Sequence, residues 1–551
     1  MISSAVYVGG TLVFAAGMAQ RPSRSSKAVR TRLRPAVCFH HQNPSGVGDP
    51  PDRQIRTLVV LESPDSFKLG KSVKEDEEEE EEKEVGDQVG FKQMLSFCGL
   101  GYWVSGFRCF PWLALNTHMA QNLNMHPSTL QLIQNFGNLP MVAKPLYGVL
   151  SDAVYIGGAH RIPYVCIGVL LQILAWGPLA LIPDAGRAIT PLMSLVLLSN
   201  LGASITEVAK DALVAEYGQE HKITGLQSYA FMASAAGGIL GNLIGGFCLL
   251  KTEPRTMFLL FSALLSTQFV ASVTTKETSL GLRKPTDQTR LASSVSESIK
   301  NQFSDFTMAI RDERISRPLI WIAGSIAMIP ILSGSIFCYQ VQCLHINPSV
   351  LGMSKVIGQL LLLSLTVLYD RFLKKLSVRK LVSSLQFAYA LALLLDLVLV
   401  KQVNIKLGIS NEMYVLCVSG LAETIAQFKT LPFTVMLASL CPPGCEGSLT
   451  SFMASTLMLS SIFSGFLGVG FSNMIGITSG DYSSLPTGIV IQALAALVPL
   501  LWIGLVPALQ PVAETGRKRG LSKRTSKNRS VRFGLQSMFA YRRERETESQ
   551  G

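Results

Sequence analysis

Two long stretches of this chain, residues 223–250 and 447–480, contain no charged residue at all. The whole stretch from 99 to 509 is apolar enough for a lipid bilayer, because much of the charge lies in an acidic run at 75–82 and a basic tail after Glu514. A helix needs about 20 apolar residues to cross a bilayer, so this stretch has room for about twelve helices. The sequence therefore predicts an all-α integral membrane protein, embedded in membrane lipid.

The predicted spans form two sets of six. The first set occupies residues 96–275, the second occupies residues 318–510, and a polar linker over residues 276–317 joins them. The twelve spans are predicted at about 99–122, 128–150, 162–183, 190–217, 225–250, 255–275, 318–342, 347–369, 381–400, 411–439, 447–475 and 485–509.

Both ends of the chain differ in composition from the spans. Residues 1–48 lack Asp and Glu but are rich in Arg and Ser, a composition typical of an organelle transit peptide. The apolar run at residues 5–19 leaves a secretory signal peptide as the alternative. Residues 49–95 are acidic and residues 511–551 are basic, and both are expected to be disordered because such compositions cannot bury a core.

Loop charge predicts the orientation. One side carries Arg161, Lys222, the linker, the loop at 371–380 and the basic tail, whereas the opposite loops near residues 124, 346 and 478 carry no Lys or Arg. We call the basic end of the molecule its inner end. The positive-inside rule then places both termini inside, which is the stroma for a protein of the plastid envelope and the cytosol otherwise.

An internal repeat relates the two sets of spans. The Phe-Met-Ala-Ser motif at residues 231–234 recurs at 452–455, and an acid followed by bases ends both the second span (Asp152, Arg161) and the eighth (Asp370, Arg371). The offsets of these repeats are 221 and 218 residues. This loop pattern is typical of the major facilitator fold and predicts two pseudo-symmetric six-helix bundles. We interpret the four charges as gating residues, with simple topology charges as the alternative.

Several motifs resemble one transporter family. Residues 144–152, followed by Arg161 to Tyr164, resemble a signature of the folate–biopterin transporter family, and residues 211–216, 431–432 and 441–447 resemble further motifs of it. The resemblance covers about 400 residues and both halves. It implies a proton-coupled carrier of folates or pterins, of the plant plastid branch. Arg108, residues 110–112 and Lys210 depart from the family pattern, so transport of a different polar metabolite stays open.

The fourth predicted span carries three charges on one helical face, Glu207, Lys210 and Asp211. Facing lipid, they would cost on the order of 8–10 kcal/mol, so they are expected to point into the bundle. We interpret them as substrate- or proton-binding groups, with a structural ion cluster as the alternative. Glu216, nearer the inner end, is a further proton candidate or a capping residue.

Polar residues in the first two spans suggest a substrate cavity. Arg108 and Trp112 share a face with Ser105 and Asn116, and could hold a carboxylate and stack on an aromatic ring. A stripe of amides in the second span would line a water-filled cavity or join helices: Gln131, Gln134, Asn135 and Asn138.

Three further charges lie in spans. Lys144 is expected to pair with Asp152 or with a substrate carboxylate. In the tenth span Glu423, the pseudo-symmetric partner of the fourth-span charges, is a candidate proton or substrate acceptor, and Lys429 is a substrate-binding candidate.

Other classes of protein lack support in the sequence. The ten cysteines show no metal-site spacing, no nucleotide-binding motif accompanies the spans, and no nucleic-acid motif accompanies the basic residues. We therefore expect no metal, no cofactor, no nucleic-acid partner and no enzymatic activity. A secondary transporter is the leading hypothesis, and a non-transporting membrane scaffold of the same fold is the alternative.

Overall fold

The computed structural model describes residues 90–182, 188–221, 226–275, 277, 311–373, 376–440 and 446–508. The predicted leader, the acidic region up to residue 89, the basic tail and most of the linker lie outside these residues. The described residues are almost entirely helical. We group their helices into twelve spans, numbered 1 to 12 in chain order, some of which contain more than one helix.

Eight spans are helices long and apolar enough to cross a membrane. Spans 3 to 6 are Ile162–Leu181, Ile189–Glu220, Leu226–Cys248 and Pro254–Thr274. Spans 8, 9 and 11 are Pro348–Arg371, Val378–Val400 and Glu446–Met474, and span 12 is Leu485–Leu497 with a 3₁₀ continuation, Val498–Leu505.

The other four spans are interrupted. Span 1 joins a helix over 90–107 to Cys109–Thr117 and a π-helical turn, His118–Asn122. Span 2 consists of Pro127–Gly137, Leu139–Val142 and Lys144–Ala153, and span 7 of Glu313–Ala327, Ser333–Cys338 and the π-helical turn Tyr339–Cys343. A short helix, Val403–Lys406, precedes span 10, which consists of Asn411–Val418 and Leu421–Leu440.

Proline and neighbouring polar groups explain the break in span 7. Pro330 has no backbone N–H to donate, so the helix stops there. The backbone groups it frees find partners on span 11, where Ser464 donates to the Ile329 carbonyl (2.5 Å) and its own carbonyl accepts from the Ile331 N–H (3.4 Å). A broken helix is tolerated in a membrane because its backbone is satisfied by another helix.

The two halves share an unusual turn that the repeat motifs did not reveal. Residues 121–128 and 342–349 match at Gln, Leu, Pro and Ser with an offset of 221 residues. Each stretch follows a π-helical turn and contains a left-handed residue, Asn124 (φ 45°) or His345 (φ 49°). Because a non-glycine residue seldom adopts positive φ, its recurrence supports the predicted pseudo-symmetry.

Close contacts join the halves along two seams, one between spans 5 and 8 and one between spans 2 and 11. On the first seam Gly246 contacts Gly352. A Cβ added to Gly352 would lie 2.5 Å from the Asn242 carbonyl oxygen. On the opposite side of span 5 a glycine face packs on span 1, with Gly237 against the Trp103 backbone. Small residues thus allow helices to approach closely on both sides of span 5.

Hydrogen bonds join the halves at the outer end. Gln131 donates to the carbonyl oxygens of Ile331 (2.6 Å) and Gly465 (2.9 Å) and accepts from the Gly334 N–H (3.1 Å). Farther out, Gln342 donates to the Ala120 carbonyl at 2.9 Å. The outer end is therefore held closed by amide side chains bonded to backbone carbonyls of the other half.

The packing of spans 3 and 4 gives a direct test of the fold. Gly168→Ala would place a Cβ 2.5 Å from the Gly202 carbonyl oxygen, so we expect a lower melting temperature in detergent, with overpacking costing about 1–3 kcal/mol. Gly177→Ala on the same helix is the control, because its nearest neighbour would lie 3.8 Å away. Equal melting temperatures for the two variants would contradict this packing.

Candidate translocation site

A small cavity of about 60 Å³ lies between the two halves, and we call it the central cavity. Its lining combines two aromatic rings, Trp112 and Phe337, with the ion pair of Lys355 and Glu423. Four amides complete the polar lining: Asn116, Asn242, Gln359 and Gln427. Aromatic faces and amides together suit a flat polar ring.

Two buried polar atoms of the central cavity have no hydrogen-bond partner among the described residues. They are the indole Nε1 of Trp112, a donor, and Oε1 of Gln359, an acceptor. Buried polar atoms of this kind are rare because an unmade hydrogen bond is costly. These two atoms are therefore unsatisfied polar groups in the wall of the central cavity.

A larger cavity of about 200 Å³ lies within the C-terminal half, and we call it the C-terminal cavity. It shares Phe337, Lys355, Glu423 and Gln427 with the central cavity, so the two adjoin. Its lining is mainly apolar but includes Asp396 and Lys429. Asp396 is a carboxylate of span 9 that the sequence analysis did not select as a site residue.

The ion pair of Lys355 and Glu423 lies where the two cavities adjoin. Glu423 was a predicted site residue, and Gln427, one helical turn later, lines both cavities with it. Lys355 was missed, although it is the single base in the eighth predicted span. The insertion cost that singled out the fourth-span charges applies equally to Lys355 and could have identified it.

Lys429 lies deeper in the C-terminal half and is only 1% exposed. Its ammonium donates to Gln386 Oε1 (2.9 Å) and Ser325 Oγ (3.2 Å) and lies 5.5 Å from the centre of the Tyr389 ring. All of these partners are neutral.

The charges of span 4 point into the N-terminal bundle, as the insertion cost predicted. Glu207 forms an ion pair with Lys144 at 3.0 Å, and Asp211 accepts a hydrogen bond from the Tyr102 hydroxyl at 2.5 Å. Lys210 donates to the Gly101 carbonyl (2.7 Å) and to Ser105. This arrangement gives Lys144 a partner, Glu207, that the sequence analysis did not name.

Arg108 and the amide stripe bond to protein groups within and between the bundles. Arg108 donates to Asn200 Oδ1 at 2.6 Å and lies outside the lining of both cavities, whereas Trp112 one turn later lines the central cavity. Gln134 donates to Asn116 (2.8 Å), and Asn138 accepts from Asn200 (3.4 Å). These contacts favour the helix-joining interpretation of the stripe.

A polar cluster at the inner end joins spans 2, 3, 4 and 6. The carboxylate of Glu277 accepts the backbone N–H groups of His160 (3.0 Å), Arg161 (2.5 Å) and Ile162 (2.7 Å) at the start of span 3. Arg161 donates to Glu216 (3.1 Å) and Ser151 (2.6 Å), so the described partners of this predicted gating residue lie in its own half.

The inner cluster shifts two pKa values outside the spans. Burial alone would lower the pKa of His160, but hydrogen bonds to Glu216 and Glu277 raise it to about 9. Burial alone would raise the pKa of Glu277, but hydrogen bonds from His160 and the span 3 backbone lower it to about 2. The cluster thus holds a protonated histidine between carboxylates at neutral pH.

The other predicted gating residues carry less structural information. The side chains of Asp152 and Asp370 lie outside the described part of the structure. Arg371 is exposed at the inner end of span 8.

Two pseudo-symmetric helical bundles with a polar, charged cavity between them define a membrane-protein fold of the major facilitator type. The fold is similar to that of a solved D-xylose–proton symporter, with a TM-score of 0.56 at 15% identity over 76% of this chain and 98% of that chain.

The chain belongs to the BT1 family, whose model matches residues 105–527. It is 58% identical to "Probable folate-biopterin transporter 9, chloroplastic" of Arabidopsis thaliana, over 90% of this chain and 94% of the relative. It is 61% identical to "Probable folate-biopterin transporter 8, chloroplastic" of the same plant, over 84% and 85% of the two chains. The resemblance seen in the motifs is thereby confirmed, and the protein is a transporter rather than an enzyme.

The inner cluster predicts a specific pH dependence of stability. The depressed pKa of Glu277 adds stability above the unfolded value of about 4.3, which is lost as pH falls toward 2. The raised pKa of His160 adds stability below about 6.5, which is lost as pH rises toward 9. Both contributions are therefore present between about pH 4.5 and 6.5.

We expect His160→Asn to flatten the loss of stability between pH 6.5 and 9, a loss on the order of 2 kcal/mol in the wild type. Melting temperatures in detergent at pH 6 and pH 9 measure it. His126→Asn, at the outer end, is the control and should keep the wild-type slope. An undiminished slope in His160→Asn would show that His160 does not stabilise the inner end.

Proposed function

We propose that this protein is a proton-coupled symporter that carries folate- or pterin-like compounds across a plastid envelope membrane by alternating access. The observation that carries the proposal is the ion pair of Lys355 and Glu423, which lies at the junction of an aromatic, amide-lined cavity and a second charged cavity. The names of the two Arabidopsis relatives support the substrate class and the plastid location.

The central cavity is suited to the ring of a pterin. Trp112 and Phe337 offer aromatic surface, and the unsatisfied Trp112 Nε1 donor and Gln359 Oε1 acceptor belong to residues of the same wall. Asn116 and Gln427 lie in the same lining and add hydrogen-bonding groups. Of the proposed site residues, Trp112 and Glu423 therefore contact the substrate ring or lie beside it.

Competition for one lysine would couple substrate to proton. While Glu423 is ionised, its carboxylate forms an ion pair with the Lys355 ammonium. When a proton neutralises Glu423, Lys355 is released to hold an anionic group of the substrate. Substrate and proton then favour the same loaded state, which is the linkage that symport requires.

Two acidic residues of the N-terminal half are further candidates for proton binding. Asp211 and Glu207 lie on one face of span 4 with Lys210, bonded to Tyr102 and Lys144 respectively, and are the second proton-binding candidates. At the inner end, Glu216 accepts a hydrogen bond from Arg161. We assign the inner gate to Arg161, Asp152, Asp370 and Arg371, and Glu216 contributes to it through this bond. Arg108, Gln134, Asn138 and Lys144 then support the cavity wall from the N-terminal bundle. Both termini are on the stromal side in this proposal.

Uptake into proteoliposomes tests the proposal. The purified protein is reconstituted and supplied with radiolabelled folic acid, biopterin or an unrelated organic anion, with and without an inward proton gradient. We expect saturable uptake of both folic acid and biopterin, and we expect the gradient to increase the uptake of folic acid, because folic acid brings the anionic group that Lys355 would hold. Transport of the unrelated anion alone would indicate a different metabolite, and saturable flux of none would favour the scaffold alternative.

Glu423→Gln separates coupling from transport. Because a glutamine cannot exchange a proton, we expect at least a tenfold loss of gradient-driven accumulation, with counterflow exchange of substrate retained. Glu412→Gln is the matched control, since it makes the same change on span 10 at an exposed outer position bonded to Asn347. Gradient-driven accumulation at the wild-type level in Glu423→Gln would remove Glu423 as the coupling residue.

A further inference from the structure

Spans 4 and 10 each bury one lysine at pseudo-equivalent positions, Lys210 and Lys429, 219 residues apart. Each is 1% exposed, and each ammonium donates to a serine of the first span of its own half, Ser105 or Ser325. Each also lies near the face of a tyrosine ring, at 4.8 Å and 5.5 Å from the ring centres. The two lysines occupy the same structural position in the two bundles.

The two lysines differ in their acidic neighbours. Lys210 has Glu207 three residues before it and Asp211 one residue after it on the same helix. The corresponding neighbours of Lys429 are Ala426 and Thr430, both neutral. Among the described residues no carboxylate forms an ion pair with Lys429, and Glu423 is already paired with Lys355.

A buried cation without a counter-ion is costly, by several kcal/mol even after the protein relaxes. In the N-terminal half the cost is reduced by resident carboxylates. In the C-terminal half no described carboxylate lies within ion-pair distance of Lys429, which lines a cavity that adjoins the central one. The carboxylates in that lining are Glu423, which is paired with Lys355, and Asp396, which forms no ion pair with Lys429. The missing negative charge is therefore one that a ligand can bring.

We propose that Lys429 binds a carboxylate of the transported substrate, which supplies the negative charge that Glu207 and Asp211 place beside Lys210 in the N-terminal half. This inference rests on the proposed function for the identity of the substrate. The proposed contact with Lys429 also gives the orientation of the bound substrate. The ring lies in the central cavity beside Trp112, and the carboxylate end extends into the C-terminal cavity, since Lys429 is six residues beyond Glu423, about 9 Å along the helix.

Lys429 is then the residue that favours carboxylate-bearing substrates over neutral ones. The test measures KM for folic acid, which has two carboxylates, and for biopterin, which has none, in proteoliposomes. In Lys429→Gln we expect the ratio of KM for folic acid to KM for biopterin to rise at least tenfold, and in Lys429→Arg to stay within threefold of the wild type. Equal changes for the two substrates in Lys429→Gln would overturn the inference.

A second pair of variants tests the counter-ion argument without removing the lysine. Thr430→Asp restores the acid that follows Lys210 in span 4, and Thr430→Asn is its uncharged isostere. The resident carboxylate competes with the substrate carboxylate, so we expect the KM ratio to be at least tenfold higher in Thr430→Asp than in Thr430→Asn. The same ratio in both variants would contradict the proposal.

A binding measurement distinguishes failure of this inference from failure of the proposed function. p-Aminobenzoylglutamate, which has carboxylates but no pterin ring, is tested for thermal stabilisation of the wild type and of Lys429→Gln in detergent. Should the wild type transport neither folic acid nor biopterin, the proposed function fails. Stabilisation that depends on Lys429 would still support the anion site, and stabilisation that is equal in both proteins, or missing from both, would overturn it.

Discussion

The cost of placing charge inside a membrane governs the organisation of this protein. Each ionised group in a span must meet an opposite charge, a set of hydrogen bonds or water, because lipid offers none of them. The N-terminal bundle meets this requirement internally, through the pairing of Lys144 with Glu207 and the bond from Tyr102 to Asp211. The C-terminal bundle meets it partly with cavities, since Lys355, Glu423 and Lys429 all line open space. Two bundles with one backbone design therefore differ in how their buried charges are compensated.

Much of the fold followed from the sequence because hydrophobic length is a local signal. Span 4 was predicted at 190–217 and is Ile189–Glu220, and span 9 was predicted at 381–400 and is Val378–Val400. The interruptions were less predictable. Proline at 140 and 330 disfavours a continuous helix. The π-helical turns after Thr117 and Cys338 contact each other across the two halves, and no local propensity encodes such contacts.

The candidate site shows where sequence reasoning stops. A stripe of amides has the same pattern whether it faces water or another helix, so the sequence could not choose between the two interpretations of Gln131 and Gln134. The structure shows both bonded to protein groups. Arg108 and Trp112 share a helical face in an unbroken helix, but the break at Arg108 separates their surroundings. Lys355 could have been predicted, because a single base in a span has the same free-energy cost of membrane insertion as each of the span 4 charges.

The position of the ion pair relative to the outer closure connects site to mechanism. Gln131 and Gln342 close the outer end by bonding to backbone carbonyls of the opposite half, and such neutral bonds can exchange with water at little net cost. The pair of Lys355 and Glu423 is different, because separating it inside the bilayer leaves two buried charges unless a proton and an anion arrive together. In the proposed mechanism, the outer contacts can therefore break when the outer end opens. The charge state of the ion pair then determines which substrate- and proton-loaded states can change between the inward- and outward-facing conformations. An empty carrier with the pair intact and a carrier holding both proton and anion are each neutral at this point, and a carrier holding the anion alone carries an uncompensated negative charge. The proton coupling proposed here follows from that difference in charge.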